Sequence, residues 1–202
     1  IASGITPSGE FHIGHLREIL TGDMITRACN DAGMDAEFVF IVDSADPLRK
    51  VYPFLSDSYE QYIGCALATI PAPDENGNPG NDGRSYAQHF LEPFLAALEQ
   101  IDVRPRIIDN YSSYANGEFA KKSRIACEKA EEIKEIIERV SSRELASDWF
   151  PYNPYGHNGS LDGVTVTGYE WPYVHWMQDG KPGKSDLYKA EGKLPWRIDW
   201  PA

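Results

Sequence analysis

The spacing of apolar residues divides the chain into two parts of different character. Ile1 to Thr6 is a short apolar run ending in Pro-Ser-Gly, which predicts a buried strand followed by a turn. From Ile13 to Ala32 apolar side chains recur at helical intervals, at Leu16, Ile19, Leu20, Met24, Ile25 and Ala28, and Gly33 supplies the stop. Glu37 to Val42 is a continuous apolar run of the kind parallel sheets bury on both faces. Strand, helix and strand make a βαβ unit. Tyr52 to Ile70 carries Tyr59, Ile63, Ala66 and Leu67 at helical spacing, and Ser85 to Ile101 reads as a helix interrupted or bent near Pro93. Between them, Pro71 to Gly83 is rich in Pro, Gly, Asn and Asp and reads as a mobile loop. Arg104 to Asp109 holds a third strand. Gly117 to Val140 reads as one long helix with the stripe Phe119, Ala126, Ala130, Ile133, Ile137 and Val140.

Helical periodicity stops near Asp148. Beyond it Gly, Pro, Tyr and Trp dominate, with short strand-like pieces at Val164 to Thr167 and Tyr173 to Trp176. The predicted fold class is α/β: a Rossmann-like parallel sheet flanked by helices over residues 1–147. An inserted, knuckle-like β-rich subdomain is expected over 148–193, and a return toward the main sheet over 194–202.

Composition changes this picture only at its edges. Apolar residues are 42% and charged residues 25% of 202, an ordinary balance for a globular chain. No apolar stretch is long enough to span a bilayer, and no export signal opens the chain, so no membrane partner and a cytoplasmic location are expected. The chain opens on Ile1, close to its most informative motif, which suggests part of a longer protein. The net charge is −12, and the densest basic cluster is only Lys121, Lys122 and Arg124. Phosphate backbones demand clustered Lys and Arg, so any RNA contact is expected mostly outside this segment. The three cysteines, Cys29, Cys65 and Cys127, form no C-x-x-C pair and read as reduced, buried thiols.

The candidate chemistry lies between Ser3 and Glu18. A strand delivers a Gly- and Pro-rich turn that opens a helix, and helix starts suit phosphate because their first N–H groups lack internal partners. His12 and His15 are three apart and share one face of the first turn. Two imidazoles there can donate hydrogen bonds to a triphosphate, and Gly14 leaves room for a flat base. The competing reading is two surface histidines at a helix start. Neither a G-x-G-x-x-G fingerprint nor a Walker loop is present.

His12-Ile13-Gly14-His15 is the signature tetrapeptide of class I aminoacyl-tRNA synthetases, and the surrounding residues resemble the class I lysyl-tRNA synthetase family. The resemblance is carried by Ser3 to Gly9, Leu16 to Glu18, Val42 to Lys50, Ser85 to Phe90, Asp148 to Pro154 and Lys193 to Pro201. It implies a HUP-type Rossmann domain that activates lysine with ATP to lysyl-adenylate and transfers it to tRNA(Lys), with Mg2+ accompanying ATP. It further implies His12 and His15 as catalytic residues, and Thr6, Pro7, Ser8, His12, Gly14 and His15 as the ATP site. Gly4, Thr6, Asp43, Ser44, Asp46 and Trp196 are implied to meet the amino acid. Asp46-Pro47 can equally cap a turn, and Trp196 and Trp200 can equally be core residues.

Three departures from the family pattern stand out. The family often carries a cysteine-rich zinc knuckle. Here Asn153 to Gly159 and His175 to Gly180 hold no cysteine, so no metal ligand and no zinc are predicted, only a knuckle held by aromatic residues. Family members usually have Asn where His15 stands. The K-M-S-K-S loop and the anticodon-binding region are absent, so tRNA contacts are expected mostly outside this chain. Other readings are a glutamate-type class I synthetase and a non-catalytic synthetase-like binding module.

Overall fold

The computed structural model describes residues 1–202, except the side chain of Trp196. The chain forms two compact units, Ile1–Tyr111 and Ser112–Ala202. The first is built on three parallel strands, β1 (Ala2–Ile5), β2 (Val39–Val42) and β3 (Arg106–Asp109), with β2 in the centre. Ala2 pairs with Val39 and Val39 with Arg106, so the three strands end together at Ile5, Val42 and Asp109. Helix α1 (Ile13–Asp31) makes the crossover from β1 to β2, and α2 (Tyr86–Gln100) precedes β3. The α/β class and the parallel sheet flanked by helices are those expected of a Rossmann-like domain.

Phe40 and Val42 of β2 are fully buried among Ile5, Ile19, Phe38, Phe94, Leu98 and Val103. The face α1 buries follows the expected stripe at Leu16, Ile19 and Leu20 and departs from it further along. Ile19, Gly22 and Thr26 are buried, whereas Met24 is 69% and Ile25 45% exposed. Gly22 explains the departure: a Cβ there would stand 2.7 Å from Phe38 Cζ, so the helix presses its smallest residue onto that ring. Gly33, at φ +79, ends the helix as expected.

Helix α2 opens with a capping box, in which Gln88 N donates to Ser85 Oγ at 3.2 Å and Ser85 N to Gln88 Oε1 at 2.9 Å. It runs unbroken through Pro93 instead of ending there. Burial of Phe90, Phe94 and Leu98 on both sides of the proline offsets the roughly 3 kcal/mol it costs.

One expected helix fails and another is divided. Tyr52 to Ile70 holds only a 3-10 turn, Asp57–Tyr62. Its backbone bonds go elsewhere: Gly64 N donates to Leu48 O at 2.8 Å, Leu67 N to Asp46 O at 2.9 Å and Ala68 N to Ser44 O at 2.9 Å. The helical spacing there reflects burial of Tyr59, Leu67 and Ile70 in a second cluster with Tyr86 and Phe90. The long helix over Gly117 to Val140 is interrupted at Lys129, after the short α3 (Asn110–Ala115), giving α4 (Ala120–Glu128) and α5 (Ala130–Ser141). Helix α4 buries Ala120, Ser123, Ala126 and Cys127, while α5 buries no residue fully.

The loop at Pro71 to Gly83 is internally paired. Asp74 Oδ1 accepts from Asn76 N and Asn78 N, both at 2.8 Å, Ala72 N donates to Arg84 O at 3.0 Å, and Tyr59 Oη donates to Pro71 O at 2.9 Å.

The second unit carries an antiparallel meander, β5 (Val164–Glu170), β6 (Tyr173–Gln178) and β7 (Lys181–Asp186), preceded by β4 (Asn153–Pro154). Strand β8 (Gly192–Lys193) pairs with β4, and α6 (Trp196–Asp199) follows. Strand β7 was not predicted, because Lys-Pro-Gly-Lys-Ser-Asp lacks apolar alternation. Trp176 supplies the missing burial: its ring lies where a Gly183 Cβ would stand, and its Nε1–H donates to Ser185 Oγ at 3.0 Å. Beneath these strands Val174, Leu187, Leu194, Tyr152 and Cys127 form the core. All three thiols are free, and burial pushes the Cys127 thiol up to about 12, so it stays protonated. Among the described residues no helix is long and apolar enough to cross a membrane.

Candidate functional site

The turn after β1 leads into α1 at the carboxyl edge of the sheet, where open α/β folds place their ligands. It borders a cleft of about 830 Å³ within the first unit. Thr6, Ser8, Gly9, Glu10, Phe11, His12 and His15 form one wall, and Tyr52, Phe54, the Pro73–Gly77 loop, His89 and Phe90 form the other.

His12 and His15 complete a reciprocal cap. His12 is the N-cap of α1, and its Nδ1 accepts the Gly14 N–H at 3.0 Å. His15 Nδ1 in turn accepts the His12 N–H at 3.0 Å. This is the capping-box arrangement with imidazoles in place of the usual hydroxyl and carboxylate. The two rings lie 3.9 Å apart at 31°.

The cap assigns the tautomers. A ring nitrogen that accepts an N–H carries no proton, so each neutral imidazole holds its hydrogen on Nε2. Two N–H groups at the helix start are consumed by the histidines. The donors this turn can offer an anion are therefore chiefly the imidazole Nε2–H groups, with fewer backbone amides than a bare helix start offers. His15 titrates below the ordinary value of 6.5, because partial burial and the neighbouring His12 disfavour its charged form, with Glu18 opposing. Gly14 serves this geometry directly: a Cβ would stand 2.8 Å from His12 Cε1 and 2.9 Å from His12 Nδ1.

Helix α2 supports the turn. Phe11 stacks on Phe94 at 4.3 Å and 13°, and meets the His15 ring edge-on at 5.1 Å. Tyr86 Oη donates to Ser8 O at 2.8 Å. Beside the cleft, Thr6 Oγ1 donates to Asp46 Oδ2 at 2.9 Å, and Asp46 faces Arg49 at 3.5 Å. Deeper at the same edge, Ser44 Oγ donates to Asp109 Oδ2 at 2.5 Å and Asn110 Nδ2 to Asp43.

Of the expected residues, Thr6, Ser8, His12 and His15 line the cleft. Pro7 is buried inside the turn. Gly14 borders a separate groove with Ser3, Arg17 and Glu18. Gly4, Asp43, Ser44 and Asp46 do not line the cleft; Asp46 reaches it through Thr6. The Trp196 side chain lies outside the described residues. The sequence reading missed the opposite wall. His89 and Phe90 lay in a recognisable segment, Ser85 to Phe90, but the Pro73–Gly77 loop carried no signal beyond its turn residues.

The family model described as tRNA synthetases class I (K) matches residues 1–202. The chain belongs to this family. It is 43% identical over 204 residues to the lysine--tRNA ligase of Picrophilus torridus, covering all of this chain and 39% of that protein. It is 40% identical over 204 residues to the lysine--tRNA ligase of Thermoplasma acidophilum, with the same coverage. It is 41% identical over 204 residues to that of Archaeoglobus fulgidus, covering all of this chain and 40% of the relative. The chain thus spans about two fifths of the length of these relatives. His12-Ile13-Gly14-His15 carries the two capping histidines at the cleft.

Proposed function

We propose that this chain is the ATP-binding part of the catalytic region of a class I lysine–tRNA ligase, which forms lysyl-adenylate and passes lysine to tRNA(Lys). The observation that carries the reading is the paired Nε2–H donors of His12 and His15 on the wall of a cleft large enough for a nucleotide, in a chain similar throughout to lysine--tRNA ligases.

In this reading the triphosphate meets His12, His15 and the turn Thr6-Pro7-Ser8, while Gly14 keeps the His12 ring in place. Lysine carboxylate attacks the α-phosphorus and pyrophosphate leaves. Such a displacement needs positioning and stabilisation of charge on phosphate oxygens, which fixed donors supply without reorganising. Mg2+ enters as the partner of the triphosphate. Gly4, Thr6 and Asp46 meet the amino acid, with Asp43, Ser44 and Trp196 completing its surroundings. Asp46 suits an ammonium group by charge-assisted hydrogen bonding. Residues 148–193 are proposed as the inserted β-rich subdomain between residues 1–147 and the return over 194–202, with most tRNA contact supplied elsewhere.

Lysine-dependent ATP–pyrophosphate exchange by the complete natural protein tests this function. Exchange supported by lysine and not by glutamate is expected. Exchange supported by glutamate, or by no amino acid, refutes it.

A further inference from the structure

Tyr86 is the first residue of α2 and is fully buried, with its ring 4.9 Å from Phe90 and 6.1 Å from Tyr59. Its backbone is pinned as firmly: Tyr86 N donates to Ile70 O at 2.9 Å and Ala87 N to Leu67 O at 3.0 Å. From that anchor the hydroxyl donates to the Ser8 carbonyl at 2.8 Å. Burial holds the phenol well above its ordinary value of 10, so it remains a donor across the physiological range.

The consequence lies on the other side of the peptide. In a trans peptide the C=O and the following N–H point in opposite directions. With the Ser8 carbonyl drawn inward to Tyr86, the Gly9 N–H is turned the other way, and Gly9 lines the cleft. Ser8's own N–H is taken by Thr6 O at 2.8 Å, whereas the Gly9 N–H has no hydrogen bond among the described residues. A backbone donor facing a cleft can bond a bound ligand, and an anionic oxygen is the strongest acceptor available to it.

We propose that Tyr86 is a positioning residue for the cleft: its hydroxyl locks the Ser8–Gly9 peptide so that the Gly9 N–H is presented to a phosphate oxygen of the bound ligand. The proposal rests on reading the cleft as a nucleotide site.

The test uses Tyr86→Phe in the complete natural protein, with two readouts. Titration with inorganic tripolyphosphate reads the anion contact apart from activity. Binding to the unaltered protein that weakens about tenfold in the variant is expected, since hydrogen bonds to charged groups are worth about that or more. In lysine-dependent ATP–pyrophosphate exchange, kcat/KM for ATP should fall about tenfold. The KM for lysine should stay within about twofold, a split that general loosening of the fold does not produce. Gly9→Pro, which deletes the N–H, should add nothing to the loss already caused by Tyr86→Phe. Tripolyphosphate binding that is equal in both proteins, or absent from the unaltered one, overturns the proposal, as does a loss that multiplies with Gly9→Pro. Tripolyphosphate binding that responds to Tyr86→Phe, without any lysine-dependent exchange, supports the positioning role while refuting the proposed function.

Discussion

The Nδ1 of His15 accepts the backbone N–H of His12, and this one 3.0 Å contact couples the start of α1 to the ring that borders the cleft. Each histidine thereby acts twice, capping the helix through Nδ1 and presenting Nε2–H outward. Protonation at Nδ1 would break the cap.

The cap predicts how stability responds to pH. His15 titrates below its unfolded value of 6.5, so the unfolded chain binds more protons than the folded one. The His15 contribution is fully present above that value and is lost as pH falls toward the lower, folded pKa. Thermal melts should therefore show Tm decreasing as pH is lowered from about 7.5 to about 5. His15→Ala should flatten this dependence. An unchanged slope in that variant would contradict the assignment.

Gly14→Ala tests the same geometry sterically. The added methyl would displace the His12 ring and remove its hydrogen bond to Gly14 N, so about 1 kcal/mol of helix stability should be lost. Catalysis should fall more than stability does, because the displaced ring also carries an Nε2–H donor. Comparing denaturant midpoints with exchange rates checks this; equal activity would show that the ring is not held for function.

Lys193 and Asp199 form a buried ion pair, 3.5 Å apart with side chains only 3% and 4% exposed. Removing the Lys193 charge takes a buried cation away from beside the Asp199 carboxylate. Lys193→Met should cost about 3–5 kcal/mol, and Lys193→Met combined with Asp199→Leu should recover much of it. Urea unfolding of the three proteins decides the matter, and a double variant no more stable than the single would argue against the pair.

Gln178 organises the loop that follows β4. Its Oε1 accepts from His157 N at 2.8 Å, and its Nε2 donates to Asp162 O at 2.9 Å and Asn158 Oδ1 at 3.2 Å. Gln178→Ala should destabilise the chain by about 1–3 kcal/mol, since it removes three hydrogen bonds made by a buried side chain. A chelator should not reproduce the effect. One tightly held zinc per chain, found by elemental analysis, would overturn the expectation of a metal-free knuckle.

By itself, the sequence determined the parallel sheet, helix α1 with its Gly33 stop, and the turn between Ser3 and His15 that leads from strand to helix. These are local matters: continuous apolar runs, a stop residue, and histidines spaced by one helical turn. Only the tertiary structure decided the rest. Gly22 carries no signal in the sequence, and only Phe38 packed against it gives it a place. The spacing from Tyr52 to Ile70 mimicked a helix because burial, not helix formation, selects those side chains. The histidines were expected to stand beside free backbone amides, yet they occupy two of them, since which donor an imidazole takes depends on turn geometry that composition does not encode. The far wall of the cleft comes from residues more than thirty positions beyond the histidines. No local pattern specifies such a meeting, because packing in three dimensions sets it.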